Sequence, residues 1–125
     1  MPQSLSSILI HLVFSTKNRD PLISAEIAPE LHAYMAAVFR ACHSPALSIN
    51  GTGNHVHSLF ALSRRVTVAD VVEEVKKRSS KWAKAKGPSL RNFRWQTGYG
   101  AFSIGQSNVP ALLRYIAKQE EHHRR

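Results

Sequence analysis

Apolar positions run almost unbroken through Ile8-Leu9-Ile10-His11-Leu12-Val13-Phe14, and a run of this length and composition predicts a buried strand reaching Thr16. Lys17-Asn18-Arg19-Asp20-Pro21 then supplies turn chemistry. From about Ser24 the period lengthens. Ile27, Leu31, Tyr34, Met35, Val38, Phe39 and Cys42 recur at intervals of three and four, the stripe of an amphipathic helix, with Pro29 blurring its first turn. Leu47 and Ile49 alternate with polar neighbours, Asn50-Gly51-Thr52-Gly53-Asn54 turns the chain, and His55 to Leu62 reads as the second strand of a hairpin. The capping box Thr67-x-x-Asp70 opens a helix whose stripe is Val68, Val71, Val72, Val75, Ser79 and Trp82, and Gly87-Pro88 ends it. Trp95 to Ile104 reads as a strand or short strand pair bent at Gly98 and Gly100. Ser107 is placed to cap a last helix, with Pro110 in its first turn and Val109, Leu112, Leu113 and Ile116 toward the core.

This order, β-α-β-β-α-β and then a helix, predicts an α+β protein with a ferredoxin-like antiparallel sheet, helices on one face and an extra C-terminal helix. A chain of 125 residues fits one domain, 1–125, and excludes separate cofactor and substrate lobes. The hydrophobic share of 43% excludes a disordered tail protein. Lys and Arg number 17 against 8 Asp and Glu, and this surplus of +9 favours phosphate-rich partners, nucleic acid first. The single cysteine, Cys42, leaves no internal disulfide and no cysteine cluster for zinc, so a cytoplasmic protein is expected. The first apolar run is too short for a membrane span, and no Lys or Arg precedes it, so no membrane partner is expected.

Three constellations carry candidate chemistry. In His55-Val56-His57, side chains two apart on a strand leave the same face, and two neutral imidazoles there can hold a divalent metal; the triplet equally suits satisfied histidines. Tyr115 and Gln119 stand one helical turn apart beside the apolar stripe, and the tyrosine equally suits a core margin with its hydroxyl in water. Tyr99, between two glycines, and Tyr34, in the first helix's stripe, are weaker candidates for a nucleophile. The third constellation is basic. Lys76 to Arg94 contains no acid, and Lys77, Lys81 and Lys84 repeat along one helix face, so phosphate contact by Lys77, Lys81, Arg91 and Arg94 is favoured over a merely solvated surface, with Lys17 and Arg19 able to add to it. Trp95 and Phe93 suit stacking on single-stranded bases, and suit a core equally well.

Four motifs stand in order: His11-Leu12-Val13-Phe14-Ser15-Thr16-Lys17-Asn18-Arg19, then Asn54-His55-Val56-His57, then Trp95 to Ser103, then Tyr115-Ile116-Ala117-Lys118-Gln119-Glu120-Glu121-His122-His123. Together, over nearly the whole chain, they resemble the single-tyrosine HUH transposases of bacterial insertion sequences that move as single-stranded DNA, including domesticated, repeat-associated relatives. The resemblance implies a metal-dependent enzyme that cuts and rejoins single-stranded DNA at hairpins, commonly as a homodimer. It also implies a covalent 5′-phosphotyrosine intermediate. Tyr115 matches the nucleophile, His55 and His57 the paired ligands, and Gln119 the third ligand of a divalent metal, Mg or Mn. Asn54 stands where relatives often carry an acid, so a carboxylate partner for the ligands is missing at that position. His122 and His123 are expected as cations at a helix end. Two other readings are a domesticated relative that cuts repeated genomic hairpins and a ferredoxin-like nucleic-acid-binding module without catalysis. The latter rests on charge and fold alone.

Overall fold

The structure is a computed structural model, and it describes residues 8–119. His122 and His123 lie outside the described residues. In chain order the elements are β1 (Ile8–Ser15), α1 (Ala28–Ala41), β2 (Ala46–Gly51), β3 (His55–Leu62), α2 (Val68–Lys84), β4 (Gly100–Ile104) and α3 (Val109–Ala117). The strands form one sheet in the order β2-β3-β1-β4, antiparallel at every neighbouring pair. Strands β1 and β2 therefore run parallel with β3 between them, and β3 and β4 run parallel with β1 between them. That is the split β-α-β arrangement expected of a ferredoxin-like α+β fold.

Strand parity divides the sheet between two jobs. Ile10, Leu12 and Phe14 of β1 join Val56 and Phe60 of β3 in the main core, with Leu31, Met35, Val38 and Phe39 of α1 and Val71, Val72 and Val75 of α2. Their neighbours Leu9 and Leu59 point the other way and pack with Ile116 of α3, flanked by Val109, Leu112 and Leu113. Helices α1 and α2 thus cover one face, and the C-terminal helix lies across the opposite one. The same parity puts His11, His55 and His57 on the α3 face, since side chains alternate along a strand.

Local chemistry sets the element ends, with some differences from the sequence expectation. The Ser24 hydroxyl accepts the Ile27 N–H at 3.2 Å in the turn that leads into α1, which starts four residues later at Ala28. Pro29 sits in that first turn, where a helix needs no N–H. Thr67 caps α2 as expected, its hydroxyl accepting the Asp70 N–H at 3.0 Å. Ser107 does not cap α3. It lies inside a 3-10 turn, Gln106–Asn108, that runs straight into the helix. Leu47 does not share a face with Ile49, because a bulge between Ala46 and Ser48 leaves Leu47 exposed.

The segment from Trp95 also departs from expectation. Only Gly100–Ile104 pairs as a strand, and Trp95 makes an isolated bridge with Thr16. Trp95 and Phe93 are core residues rather than stacking platforms: Trp95 packs edge-on against Phe14 at 4.7 Å and against Phe93 at 4.8 Å between centroids. The indole N–H donates to the Ser79 hydroxyl at 2.9 Å, which itself donates to the Val75 carbonyl at 2.6 Å. A polar residue in the apolar stripe of α2 is thereby explained, since a buried indole N–H needs an acceptor.

Candidate active site

The site grows from the β2–β3 turn. Gly51 packs so tightly on the returning strand that a Cβ there would run into the His55 carbonyl oxygen. The Thr52 N–H donates to that carbonyl at 2.9 Å, while the Gly53 and Asn54 carbonyls accept from the N–H groups of Ile23 and Thr16 at 3.0 and 2.8 Å. His55 thus starts β3 from a turn tied down on both sides. Its Nδ1 lies 2.9 Å from Asn54 Oδ1 and 2.9 Å from Thr52 Oγ1. The orientation of Asn54 is set by its other amide atom, since Nδ2 donates to the Arg19 carbonyl at 3.3 Å. With acceptors at Nδ1, the proton of a neutral His55 belongs there, and its Nε2 lone pair faces outward. The Asn54 amide oxygen occupies the place expected of a carboxylate partner.

Gln119, two residues past the end of α3, meets His55. Its Nε2 donates to the Tyr115 carbonyl one turn back at 3.2 Å, and this turns Oε1 to within 3.4 Å of His55 Nε2. Gln119 is only 5% exposed. The end of α3 is further tied to β2, where Asn50 Nδ2 donates to the Ala117 carbonyl at 3.3 Å. An amide oxygen and an imidazole lone pair converging this closely present two electron-rich atoms to one point, an arrangement that a cation satisfies. Among the described residues no group of three or more His, Cys, Asp or Glu is arranged for a metal, so the candidate donor set is two imidazoles and an amide. Nitrogen and oxygen donors that leave further positions open fit a divalent ion.

His57 lies on the same face, its ring 5.1 Å from that of His55. Burial, and then the positive charge that His55 and His11 would carry, push its pKa down to about 4. The neutral form that a ligand requires is therefore the resting form near neutral pH. Tyr115 stands over these rings edge-on, 5.5 Å from His57 and 6.5 Å from His11 between centroids, and is 47% exposed. The structure thus brings together Tyr115, His55, His57 and Gln119. Tyr34 instead stacks on Trp82 at 5.6 Å, and Tyr99 is exposed just before β4.

Two residues at the site were not singled out in the sequence. His11 Nε2 lies 3.0 Å from His57 Nδ1, and burial lowers the His11 pKa as well. Phe102 pairs with His11 across β1 and β4, is 58% exposed, and holds its ring 6.3 Å from the His11 ring. In the sequence His11 interrupts an apolar run and opens the first of the four motifs, but neither mark gave it a role.

The basic candidates separate. Lys17, Lys77 and Arg94 line one concavity of about 400 Å³ with Lys76, Ser80 and Gln96. Arg19, Lys81 and Arg91 are exposed but lie outside that concavity. Lys76 is spent on structure, its ammonium donating to the Gln96 and Gly98 carbonyls at 2.6 and 3.0 Å. Arg78 is offset by Glu74 one turn earlier, at 3.6 Å, so the basic face is less uniform than its own stretch of sequence implies.

A family profile described as "Transposase IS200 like" matches residues 4–119. Among solved structures, the chain is similar to a candidate transposase from Deinococcus radiodurans R1, with a TM-score of 0.74, 18% identity and 96% of each chain covered. It is also similar to a REP-associated tyrosine transposase bound to a REP hairpin, with a TM-score of 0.72, 15% identity, and coverage of 98% of this chain and 72% of that one. At these identities the likeness is one of fold. No curated protein sequence matches the chain. Among the described residues, no helix is long and apolar enough to cross a membrane.

Proposed function

The chain belongs to the IS200-like transposase family, and from that premise we propose that it cuts and rejoins single-stranded DNA at hairpins, in the cytoplasm, with Tyr115 as nucleophile. The observation that supports this most directly is the approach of the Tyr115 ring to His57 at 5.5 Å while Gln119, just past the end of the same helix, reaches His55. In this reading His55, His57 and Gln119 hold a divalent ion, Mg or Mn, which when bound supplies positive charge to polarise the scissile phosphate. The phenolic oxygen of Tyr115 gives up its proton to solvent and forms a bond to phosphorus, the bond from phosphorus to the 3′ oxygen breaks, and that oxygen takes up a proton from solvent. The product is a 5′-phosphotyrosyl strand and a free 3′ hydroxyl. Because the ester bond is conserved, a 3′ hydroxyl can attack the phosphotyrosine and reseal a strand without ATP.

Substrate handling falls to the basic concavity and to Phe102. Lys17, Lys77 and Arg94 favour a flexible phosphate backbone, with Arg19, Lys81 and Arg91 as outlying cations. An exposed aromatic beside the site supplies a face for an unpaired base, which a duplex would not offer. A homodimer is part of the same proposal. The test is a labelled, hairpin-ended single strand incubated with the protein and Mn or Mg, followed by a denaturing gel. A covalent protein–DNA adduct is expected, and Tyr115→Phe abolishes it while DNA binding persists. No adduct under any condition returns the protein to the class of binding modules. A full adduct with Tyr115→Phe moves the attack to Tyr99.

A further inference from the structure

We propose that His11 is a positioning residue for His57: its Nε2 accepts the Nδ1–H of His57 and so leaves the Nε2 lone pair of His57 as the one presented to the metal. The inference rests on the metal-site reading above. Its geometry comes from strand register. Val13 lies opposite His57 and His11 opposite Leu59, so the two imidazoles are diagonal neighbours on one face, within reach of long side chains. The Nε2 of His11 and the Nδ1 of His57 are 3.0 Å apart, and the rings are stacked at 23° with centroids 5.2 Å apart.

The surroundings hold His11 in that pose. On the sheet it stands between Leu59 of β3 and Phe102 of β4, and Tyr115 meets its ring edge-on. A single hydrogen bond between two neutral imidazoles needs one donor and one acceptor. If His11 donated, the His57 proton would sit on Nε2 and that ring would have no lone pair for an ion. If His57 donates, His11 acts as the partner that metal-ligating histidines usually have on their second nitrogen. His55 shows the parallel arrangement, with Asn54 Oδ1 and Thr52 Oγ1 at its own Nδ1. Each candidate ligand thus has acceptors behind it, an amide and a hydroxyl for one and an imidazole for the other.

The experiment compares the full chain with His11→Leu and His11→Gln. Long-range proton–nitrogen NMR of the imidazoles in the metal-free protein reads the His57 tautomer, and Mn²⁺ titration followed by the paramagnetic signal of the free ion reads affinity. The expected results are an Nδ1–H tautomer of His57 in the parent, loss of that preference in His11→Leu, and an Mn²⁺ affinity weakened by about 10–100-fold. His11→Gln, whose amide oxygen accepts the same hydrogen, should restore both. An Nε2–H tautomer in the parent, or parental tautomer and affinity in His11→Leu, overturns the proposal. A parent that binds no Mn²⁺ but shows the Nδ1–H tautomer would sink the metal-site reading while upholding the hydrogen-bond assignment. If His11→Leu does not fold, the parental tautomer and His11→Gln decide the matter.

Discussion

The side-chain amide of Gln119 donates to the Tyr115 carbonyl at 3.2 Å, so the backbone of the proposed nucleophile aims the oxygen of the proposed ligand at His55. This bond couples Gln119, just past the end of α3, to the helix that carries Tyr115. Gln119→Ala is expected to weaken Mn²⁺ binding by at least about tenfold, as loss of a group that holds or orients a metal does. Tyr115→Phe keeps the carbonyl and should leave Mn²⁺ affinity within about twofold of the parent. Calorimetric titration of the two variants separates these roles.

Acid should destabilise the metal-free protein through His57. Its pKa falls from 6.5 to about 4 on folding, so the folded state resists the proton that the unfolded state accepts. The stabilisation is complete above pH 6.5 and is lost as the pH falls through 4, amounting to at most roughly 3 kcal/mol. Urea midpoints measured with a chelator between pH 7 and pH 4.5 should fall, and His57→Gln should flatten the slope.

Gly51→Ala should cost about 1–3 kcal/mol, the range for forcing atoms into filled space. The added Cβ meets backbone, the His55 carbonyl and Val56 Cα, which cannot swing aside as a side-chain tip can. Because the displaced turn carries His55, Mn²⁺ affinity should fall with stability. A variant with parental stability and affinity would show that the turn relaxes freely.

Phe102→Ala should leave the fold within about 0.5 kcal/mol of the parent, since the ring is exposed. Affinity for single-stranded DNA should drop by about 1–3 kcal/mol, the contribution of one base stacked on an aromatic ring. Fluorescence anisotropy with single-stranded and duplex probes checks both the size and the selectivity of the loss.

The fold was legible in the sequence because its strands and helices carry unmixed periods. Ile8 to Phe14 and His55 to Leu62 are short apolar runs, and Val68 to Trp82 holds a helical stripe behind a real N-cap. Of the site, His55 and His57 were legible from spacing, as was the one-turn relation of Tyr115 to Gln119. What spacing does not carry is register between distant strands. His11 is 46 residues from His57, and only the pairing of β1 with β3 makes them partners. Phe102 was hidden for the same reason, and Trp95 stayed open between core and stacking because aromatic residues serve cores and surfaces alike. Its acceptor, Ser79, is a serine in a valine stripe, a signal that becomes readable only once the contact is known.

Alternation along β1 and β3 gives odd positions to the imidazoles and even positions to Leu12, Phe14, Val56 and Phe60. One residue gained or lost inside either strand would thrust the histidines into the oily interior and bare the large side chains to water. Homologues and engineered variants should therefore vary the two central strands chiefly by replacement. Any viable change in the length of those strands should come in pairs of residues.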